Sequence, residues 1–354
     1  MNTQTPVLSG KGSADDLLRL QALARHSLII GTTRKCPLSC GHCITSSSPT
    51  VRSATLSREL AEIWAEDLPR LYFDGLRHMT FSGGEPILAL DAVACLTHAA
   101  RTLGIKTYIA TSGAWARTAA IAKRVVLRVG PVTNWDLGLD GWHADQMPLE
   151  VADRALSAIC AAGGTVSIRM CEAETPQKSA EMEARITAMV RGRATVMRQS
   201  VRRIGRGAGN GAVASVGLPE RPCTSTGLFL RGDGSTGPCC SGLAYEDARE
   251  HPFDYGLVRA PGDLVAAWRS WRRDPLLRVM RLASMAALEG WLPPVAQGTL
   301  FSKDPCEACV DLWSRLGRNG SRRIMTRAQA PDVAKKLDAL EGVLFGKAHD
   351  ENVC

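Results

Sequence analysis

The sequence predicts an α/β protein: a partial TIM-like barrel of six strand–helix units, followed by a smaller module. Between residues 28 and 201, short apolar strand-like segments alternate with amphipathic segments of roughly 10 to 15 residues, the pattern of a parallel sheet with right-handed crossovers. The alternation stops at a glycine-rich stretch, residues 205–211. About six units by that point favour a partial (βα) barrel over a complete eight-fold one.

The predicted strands are short runs of apolar or β-branched residues, at 28–30, 78–81, 106–111, 135–139, 165–170 and 194–201. The predicted helices carry apolar faces at helical spacing, at 14–25, 57–68, 90–103, 117–127, 148–162 and 180–191. Gly104 is suited to end the third of these helices, and Pro148 to open the fifth.

Four regions follow from this pattern. Residues 1–27 are predicted as an N-terminal helical extension, 28–212 as the partial barrel, 213–312 as a C-terminal module and 313–354 as a helical tail. The segment 261–292 is helical in pattern, basic and rich in tryptophan. We interpret it as an amphipathic helix that packs on the rest of the protein.

Composition limits the function classes. The 354 residues are 45% hydrophobic and 22% charged, as in an ordinary globular protein, and no apolar run is long enough to span a membrane. The polar N-terminus lacks a signal core, so the expected location is the cytoplasm, where twelve cysteines favour metal binding over disulfides. A net charge of +8 favours an anionic partner, but no RNA-binding signature is visible and a nucleic acid is disfavoured.

The most informative motif is a run of three cysteines, Cys36, Cys40 and Cys43, with C-x3-C-x2-C spacing directly after the first strand. One tight loop can present all three thiolates to a single metal centre. Thiolate ligation favours zinc or an iron–sulfur cluster. With three protein ligands, one metal of a four-iron cluster keeps an open position at which chemistry can occur.

This motif resembles that of the radical S-adenosylmethionine (radical SAM) superfamily, and residues 82–86, Ser-Gly-Gly-Glu-Pro, resemble its GGEP motif at the end of the second strand. The resemblance implies that the three cysteines hold three irons of a 4Fe–4S cluster and that the fourth iron chelates SAM. Gly83, Gly84 and Glu85 would contact the SAM amino group, with the Glu85 carboxylate as a partner for the ammonium. His42 would lie beside the adenine.

Further matches extend along the barrel. Residues 137–141, Leu-Gly-Leu-Asp-Gly, resemble the "SLDG" of peptide-modifying members, with Gly138 in the serine position and Asp140 available for a ribose contact. Arg169 matches an arginine that binds the SAM carboxylate; the alternative is a surface ion pair. Residues 205–207 resemble the "GRA" that closes the barrel. His143 and Asp145 follow the fourth strand and are candidate pocket residues; the alternative for His143 is a structural hydrogen-bonding role.

Four later cysteines, Cys223, Cys239, Cys306 and Cys309, resemble the twitch module, a shortened relative of SPASM that binds an auxiliary 4Fe–4S cluster. A structural zinc would use the same ligands, so the metal stays open. Cys240 is surplus to this set. It is an inert neighbour, an alternative ligand or, as in radical SAM peptide epimerases, a thiol that donates a hydrogen atom to a substrate radical.

The resemblance implies a radical enzyme that reductively cleaves SAM to a 5′-deoxyadenosyl radical and removes hydrogen from a substrate carbon. The favoured substrate is a ribosomally synthesised peptide, modified by epimerisation, crosslinking or thioether formation. One alternative is two-electron oxidation or epimerisation of a small molecule. Another is a non-enzymatic zinc-binding scaffold, and the Gly-Gly-Glu motif argues against that one. Expected partners are a one-electron reductant such as flavodoxin or ferredoxin and a separate leader-peptide-binding protein, since only 27 residues precede Leu28.

Overall fold

The computed structural model describes residues 23–172, 175–209, 214–223, 227–240, 242–245 and 251–345. Of the predicted helix at 14–25, residues 23–25 are helical and the others lie outside the described residues, as does Cys354. No helix in these described ranges has both the length and the apolar character needed to cross a membrane.

The central element is an eight-stranded sheet in the order β6-β5-β4-β3-β2-β1-β8-β9. Its strands run in parallel except for the antiparallel β8–β9 pair. They are β1 (Ser27–Gly31), β2 (His78–Ser82), β3 (Lys106–Thr111), β4 (Asn134–Gly138), β5 (Val166–Cys171), β6 (Thr195–Gln199), β8 (Leu228–Arg231) and β9 (Thr236–Gly237). A separate antiparallel pair joins β7 (Ala214–Val216) to β10 (Leu300–Ser302). Because β6 and β9 are its two edges, the main sheet is a partial barrel.

Helices connect the parallel strands and then form the C-terminal region. They are α1 (Arg58–Phe73), α2 (Leu90–Thr102), α3 (Ala119–Val129), α4 (Gly141–Ala144), α5 (Leu149–Ala161), α6 (Pro176–Val190), α7 (Asp263–Arg273), α8 (Pro275–Leu282), α9 (Pro305–Ala328) and α10 (Pro331–Phe345). Side-chain caps define several starts: Ser57 and Thr118 each accept a bond from the backbone N–H three residues on.

The two faces of the sheet differ in polarity. Leu28, Ile30, Phe81 and Leu137 are completely buried in the main apolar core. Alternate residues face the other way, where Asn134 donates a 2.8 Å bond to the Ser167 hydroxyl and Tyr108 meets His78 at 3.4 Å. This alternation directs polar side chains to one face of the sheet, which is therefore suited to a polar ligand.

The fold class and the six βα units match the sequence prediction. Strand β3 has the predicted limits, whereas α1 continues to Phe73 through Pro69 and α6 begins earlier, at Pro176 behind the Thr175 cap. The segment 261–292 forms α7, α8 and a short 3-10 turn. Trp268 and Trp271 of α7 are fully buried, in agreement with the packing interpretation.

One strand was not expected. Leu228–Arg231, assigned from the sequence to the C-terminal module, pairs in parallel with β1. The module therefore shares a sheet with the barrel, and its second strand, β9, extends that edge. This pairing places residues after β9 next to the loop that follows β1.

Candidate cluster and cofactor site

The cysteine loop follows β1 at its carboxyl end. Cys36 and Cys40 are buried and Cys43 is half-buried. The Cys36 amide donates to the Ser48 carbonyl at 3.1 Å, and the Cys43 amide donates to Cys40 at 3.1 Å. These bonds fix a compact loop that displays three thiols from one short stretch of chain.

The thiols differ in acidity before any metal binds. Burial raises the pKa of Cys36 to about 12, so a metal has to displace a proton there. Burial also acts to raise the pKa of Cys43, but hydrogen bonds from Thr45 and Ser47 outweigh it and bring the pKa below its ordinary value. Cys43 is thus the thiol that ionises more readily of these two.

Gly83 and Gly84 hold the start of this loop against the end of β2. The Gly84 amide donates to the Thr33 carbonyl at 2.7 Å, and the Glu85 amide donates to Lys35 at 2.9 Å. A Cβ on Gly84 would lie 2.2 Å from the Lys35 carbonyl oxygen, and one on Gly83 would lie 2.4 Å from that of Thr33. The two glycines are therefore required by the close approach of the two backbones just before Cys36.

The Glu85 carboxylate accepts hydrogen bonds from the chain itself. Its carboxylate is 1% exposed and accepts bonds from the hydroxyls of Thr111 and Ser112, both at 2.7 Å. The amides of Ser112 and Ile87 also donate to it, at 3.1 and 3.2 Å. Chain donors thus occupy this carboxylate, which ties the β2 loop to the end of β3; its pairing with the SAM ammonium stays a prediction.

Glu85→Ala is therefore expected to lower the free energy of unfolding of the metal-free protein by about 3 kcal/mol, because several buried donors lose their acceptor. Urea unfolding of the variant and of the wild type measures this loss of free energy. Glu62→Ala, which removes an exposed α1 ion pair with Arg58, is the control and should cost at most about 0.5 kcal/mol. If Glu85→Ala were as stable as the wild type and bound SAM more weakly, the carboxylate would be a SAM ligand and not a structural acceptor.

A second polar group lies at the end of β4. Asp140 caps α4, accepting from the His143 amide at 3.0 Å and meeting His143 Nδ1 at 2.8 Å. His42 Nε2 lies 3.6 Å from the same carboxylate. Burial acts to lower the pKa of His143, but hydrogen bonding to Asp140 and Cys40 raises it to about 10. His143 therefore has the structural hydrogen-bonding role, directly beside the cysteine loop.

The position of the His143 ring explains why residue 138 is a glycine. A Cβ at that position would lie 3.1 Å from His143 Nε2 and 3.2 Å from Cε1. The His143 ring thus fills the space next to the position that resembles the family's serine. A side chain at position 138 would therefore require the His143 ring to move.

Arg169 forms an ion pair with Asp136 across β4 and β5, and its side chain is 47% exposed. Asp136 also accepts a bond from Ser167 at 3.3 Å, and Asn134 completes this polar network. Of the two interpretations of Arg169, the structure shows the ion pair. Asp145, at the end of α4, is exposed.

Arg206 is a site residue that the sequence motifs do not identify, although it lies in the Gly-Arg-Gly stretch at 205–207. Its Nε donates to the Cys40 carbonyl at 2.9 Å, and its guanidinium reaches Ser47 at 2.6 Å. A Cβ on Gly205 would lie 2.6 Å from the Cys43 carbonyl oxygen. The motif that follows β6 therefore clamps the cysteine loop from the far edge of the sheet.

The second set of cysteines converges in the C-terminal region. Cys306 and Cys309 occupy the first turn of α9, whereas Cys223 and Cys239 come from two earlier loops. Burial, and then its neighbours Cys223 and Cys239, raise the pKa of Cys309 well above the ordinary value. The Trp313 Nε1 donates to Cys309 Sγ at 3.1 Å. Cys223, Cys239 and Cys306 are thus each close enough to Cys309 to interact with it electrostatically.

Basic side chains surround this second set. Each of three arginines lies within electrostatic reach of one thiol: Arg281 near Cys223, Arg231 near Cys239 and Arg202 near Cys306. Positive charge of this kind offsets the charge of thiolate ligands. The surroundings therefore suit an anionic four-thiolate site.

Several buried polar atoms around the first cysteine loop have no partner within the described part of the protein: Thr32 Oγ1, His42 Nδ1, Trp142 Nε1 and Tyr245 Oη. The Trp142 ring packs against Gly41 and His42 within that loop. Unpaired buried groups are costly unless a ligand satisfies them. Three cysteine donors together with these atoms fit a thiolate-bound cluster and a polar ligand beside it.

Comparisons with known proteins agree with this geometry. Residues 27–139 match the family described as a 4Fe-4S single cluster domain. The PqqA peptide cyclase of Xanthomonas oryzae pv. oryzae (strain MAFF 311018) is 34% identical over 87 residues. That of Xanthomonas campestris pv. campestris (strain 8004) is 33% identical over 87 residues. Each alignment covers 25% of this chain and 22% of the relative's length.

The fold is shared with a solved structure, that of the histidine-tagged protein anSMEcpe with bound AdoMet. The TM-score is 0.52 at 13% identity, and the match covers 91% of this chain and 99% of that one. The chain therefore shares its fold with that protein, and its cysteine loop lies within the segment that matches the 4Fe-4S single cluster family; both findings agree with the resemblance predicted from the sequence.

Proposed function

We propose that this protein is a radical SAM enzyme that removes hydrogen from a carbon of a ribosomally synthesised peptide. The observation that carries the proposal is the loop of Cys36, Cys40 and Cys43 at the carboxyl end of β1, inside the 4Fe-4S segment. In (βα) barrels catalytic groups collect at this end of the strands.

The three thiols would hold the cluster, and the backbone of Gly83 to Glu85 would contact SAM beside it. When bound there, the reduced cluster supplies the electron that cleaves SAM to methionine and a 5′-deoxyadenosyl radical. Arg206 and the glycine pair keep the cysteine loop in place. The polar face of the sheet orients the substrate.

Three further contacts belong to the same proposal. Arg169 would bind the SAM carboxylate after leaving Asp136, an exchange that its exposed position permits. His42 would lie beside the adenine, close to Trp142. Asp140 would reach the ribose with Oδ2, the oxygen that accepts from the Cys171 amide at 3.2 Å and lies 3.6 Å from His42 Nε2.

A peptide substrate is supported by the relatives, which are PqqA peptide cyclases over the shared 87 residues. The modification would be an epimerisation, a crosslink or a thioether. A separate leader-binding protein or the basic C-terminal helices would hold the leader, and a flavodoxin- or ferredoxin-like reductant in the cytoplasm would supply electrons. A cavity of about 390 Å³ lined by Arg25, Arg269, Arg272, Arg273 and Arg278, together with Asp74 and Glu341, is a candidate basic surface for the leader.

Cys223, Cys239, Cys306 and Cys309 would hold an auxiliary 4Fe–4S cluster, with zinc as the competing metal. The surrounding arginines support an anionic four-thiolate centre. Such a cluster would accept an electron from the substrate radical or bind the substrate.

Cys240 is linked through its neighbours to both cysteine sets, since Arg202 lies within electrostatic reach of Cys240 and of Cys306. It packs with Ile29, Phe229 and Ala244 on the face of the sheet opposite the main core, and it is within electrostatic reach of Tyr245, as is Cys43. As a hydrogen-atom donor its S–H bond would break and a substrate C–H bond would form. The resulting thiyl radical would take one electron from the external reductant and one proton from water.

Cys240→Ala is then expected to abolish net product while SAM is still cleaved, as measured by product mass and 5′-deoxyadenosine. Cys95→Ala, a half-buried helical cysteine of α2, is the control and should keep activity. Unchanged product formation by Cys240→Ala with both clusters intact would exclude the donor role.

The reaction class can be tested in heavy water with anaerobically reconstituted protein and candidate peptides encoded near its gene. Gain of one carbon-bound deuterium without other mass change would indicate epimerisation, and loss of two hydrogens would indicate a crosslink or an oxidation. Turnover of a small molecule, with every candidate peptide inert, would instead support the small-molecule alternative.

A further inference from the structure

Tyr245, in the C-terminal module, reaches the glycine surface at the ends of β1 and β2. A Cβ on Gly31 would lie 2.7 Å from its hydroxyl oxygen, and one on Gly83 would lie 3.0 Å from it. Since Gly83 is part of the motif that follows β2, the phenol of the C-terminal module lies over the first site. It is not a residue that the sequence motifs identify.

The ring of Tyr245 is held firmly. It packs edge-to-face on Phe229, with centroids 5.3 Å apart, and the guanidinium carbon of Arg34 lies 5.3 Å from its centroid. The neighbours Ile29 and Ala244 complete this small apolar cluster. The surroundings therefore fix the direction in which the hydroxyl points.

The hydroxyl itself is buried and has no hydrogen-bond partner among the described residues. A buried hydroxyl without a partner costs about 1–3 kcal/mol, and phenylalanine would fill the same space without that cost. Burial also raises the pKa of Tyr245, so the phenol keeps its proton and can donate. A buried, protonated hydroxyl without a partner indicates that a bound ligand supplies its hydrogen-bond acceptor.

We propose that Tyr245 is a positioning residue of the first site, whose hydroxyl donates a hydrogen bond to an acceptor oxygen of SAM bound across Gly31 and Gly83. The inference rests on the proposed function. It means that the C-terminal module completes the SAM site, which explains why β8 pairs directly with β1.

The test compares Tyr245→Phe with the wild type, both fully reconstituted, by equilibrium binding of SAM and by the electron paramagnetic resonance of the reduced first cluster with and without SAM. We expect Tyr245→Phe to bind SAM about three- to ten-fold more weakly, the range given by one net hydrogen bond, and to show a changed SAM-bound spectrum. Tyr72→Phe, a half-exposed phenol at the far end of α1, should bind as the wild type does.

The outcomes separate the two proposals. If wild-type protein binds SAM and Tyr245→Phe binds it equally well with the same spectrum, the role of Tyr245 is overturned and the proposed function stands. A loss of iron and of thermal stability in Tyr245→Phe, at unchanged SAM affinity per first cluster, would show a structural role only and would also overturn it. If the wild type itself binds no SAM, the proposed function fails.

Discussion

Cys36→Ala is expected to remove the first cluster and with it SAM cleavage. About four irons per chain should be lost, because one thiolate of a three-cysteine loop cannot be replaced by a methyl group. Formation of 5′-deoxyadenosine should fall by at least about a thousand-fold, well inside the range by which enzymes accelerate reactions. Iron analysis and chromatography of the SAM products measure the two effects.

The control for this substitution is Cys95→Ala, which removes a half-buried thiol from α2, away from both cysteine sets. It should retain the full iron content and SAM cleavage. If Cys36→Ala kept its iron and its activity, the loop after β1 would not be the cluster site.

Gly84→Ala is expected to cost about 3 kcal/mol of unfolding free energy, the upper part of the range for overpacking. Its Cβ would lie 2.2 Å from the Lys35 carbonyl oxygen and 2.7 Å from that of Arg34, so backbone rather than a flexible side chain has to move. That movement shifts the chain directly before Cys36. Most of the first-site iron should therefore be lost after reconstitution.

Gly342→Ala is the matched control, because a Cβ there meets no atom within 4 Å. In an exposed position of α10 it should stabilise the protein by about 0.5–1 kcal/mol through helix propensity. Chemical unfolding and iron content compare the two. A Gly84→Ala protein as stable and as iron-rich as Gly342→Ala would contradict the close backbone approach described for this site.

Local patterns were sufficient to predict most of the barrel. Strand β3 has its predicted limits because its alternating buried residues lie between Gly104 and Thr111. Strand β8 was missed because a four-residue apolar run carries little signal. Its pairing with β1 depends on contacts about two hundred residues apart in sequence.

The site residues also fall into those that local motifs predict and those that only the fold brings together. Resemblance identified the cysteines and the two glycines, whose close approach to the loop the structure explains. It also assigned the Glu85 carboxylate to the SAM ammonium, a role that stays a prediction; the bonds of Glu85 to Thr111 and Ser112 cannot be read from a local motif. Tyr245 was missed for a similar reason: it belongs to no motif, and only the fold brings it to Gly83.

A single anaerobic assay of the reconstituted wild-type protein with SAM and a strong one-electron reductant tests whether the protein is a radical SAM enzyme. We expect about eight irons per chain and equal amounts of methionine and 5′-deoxyadenosine, formed only when the reductant is present. Protein that binds zinc in place of iron at the first loop, or that loads its iron and leaves SAM intact, would contradict this expectation.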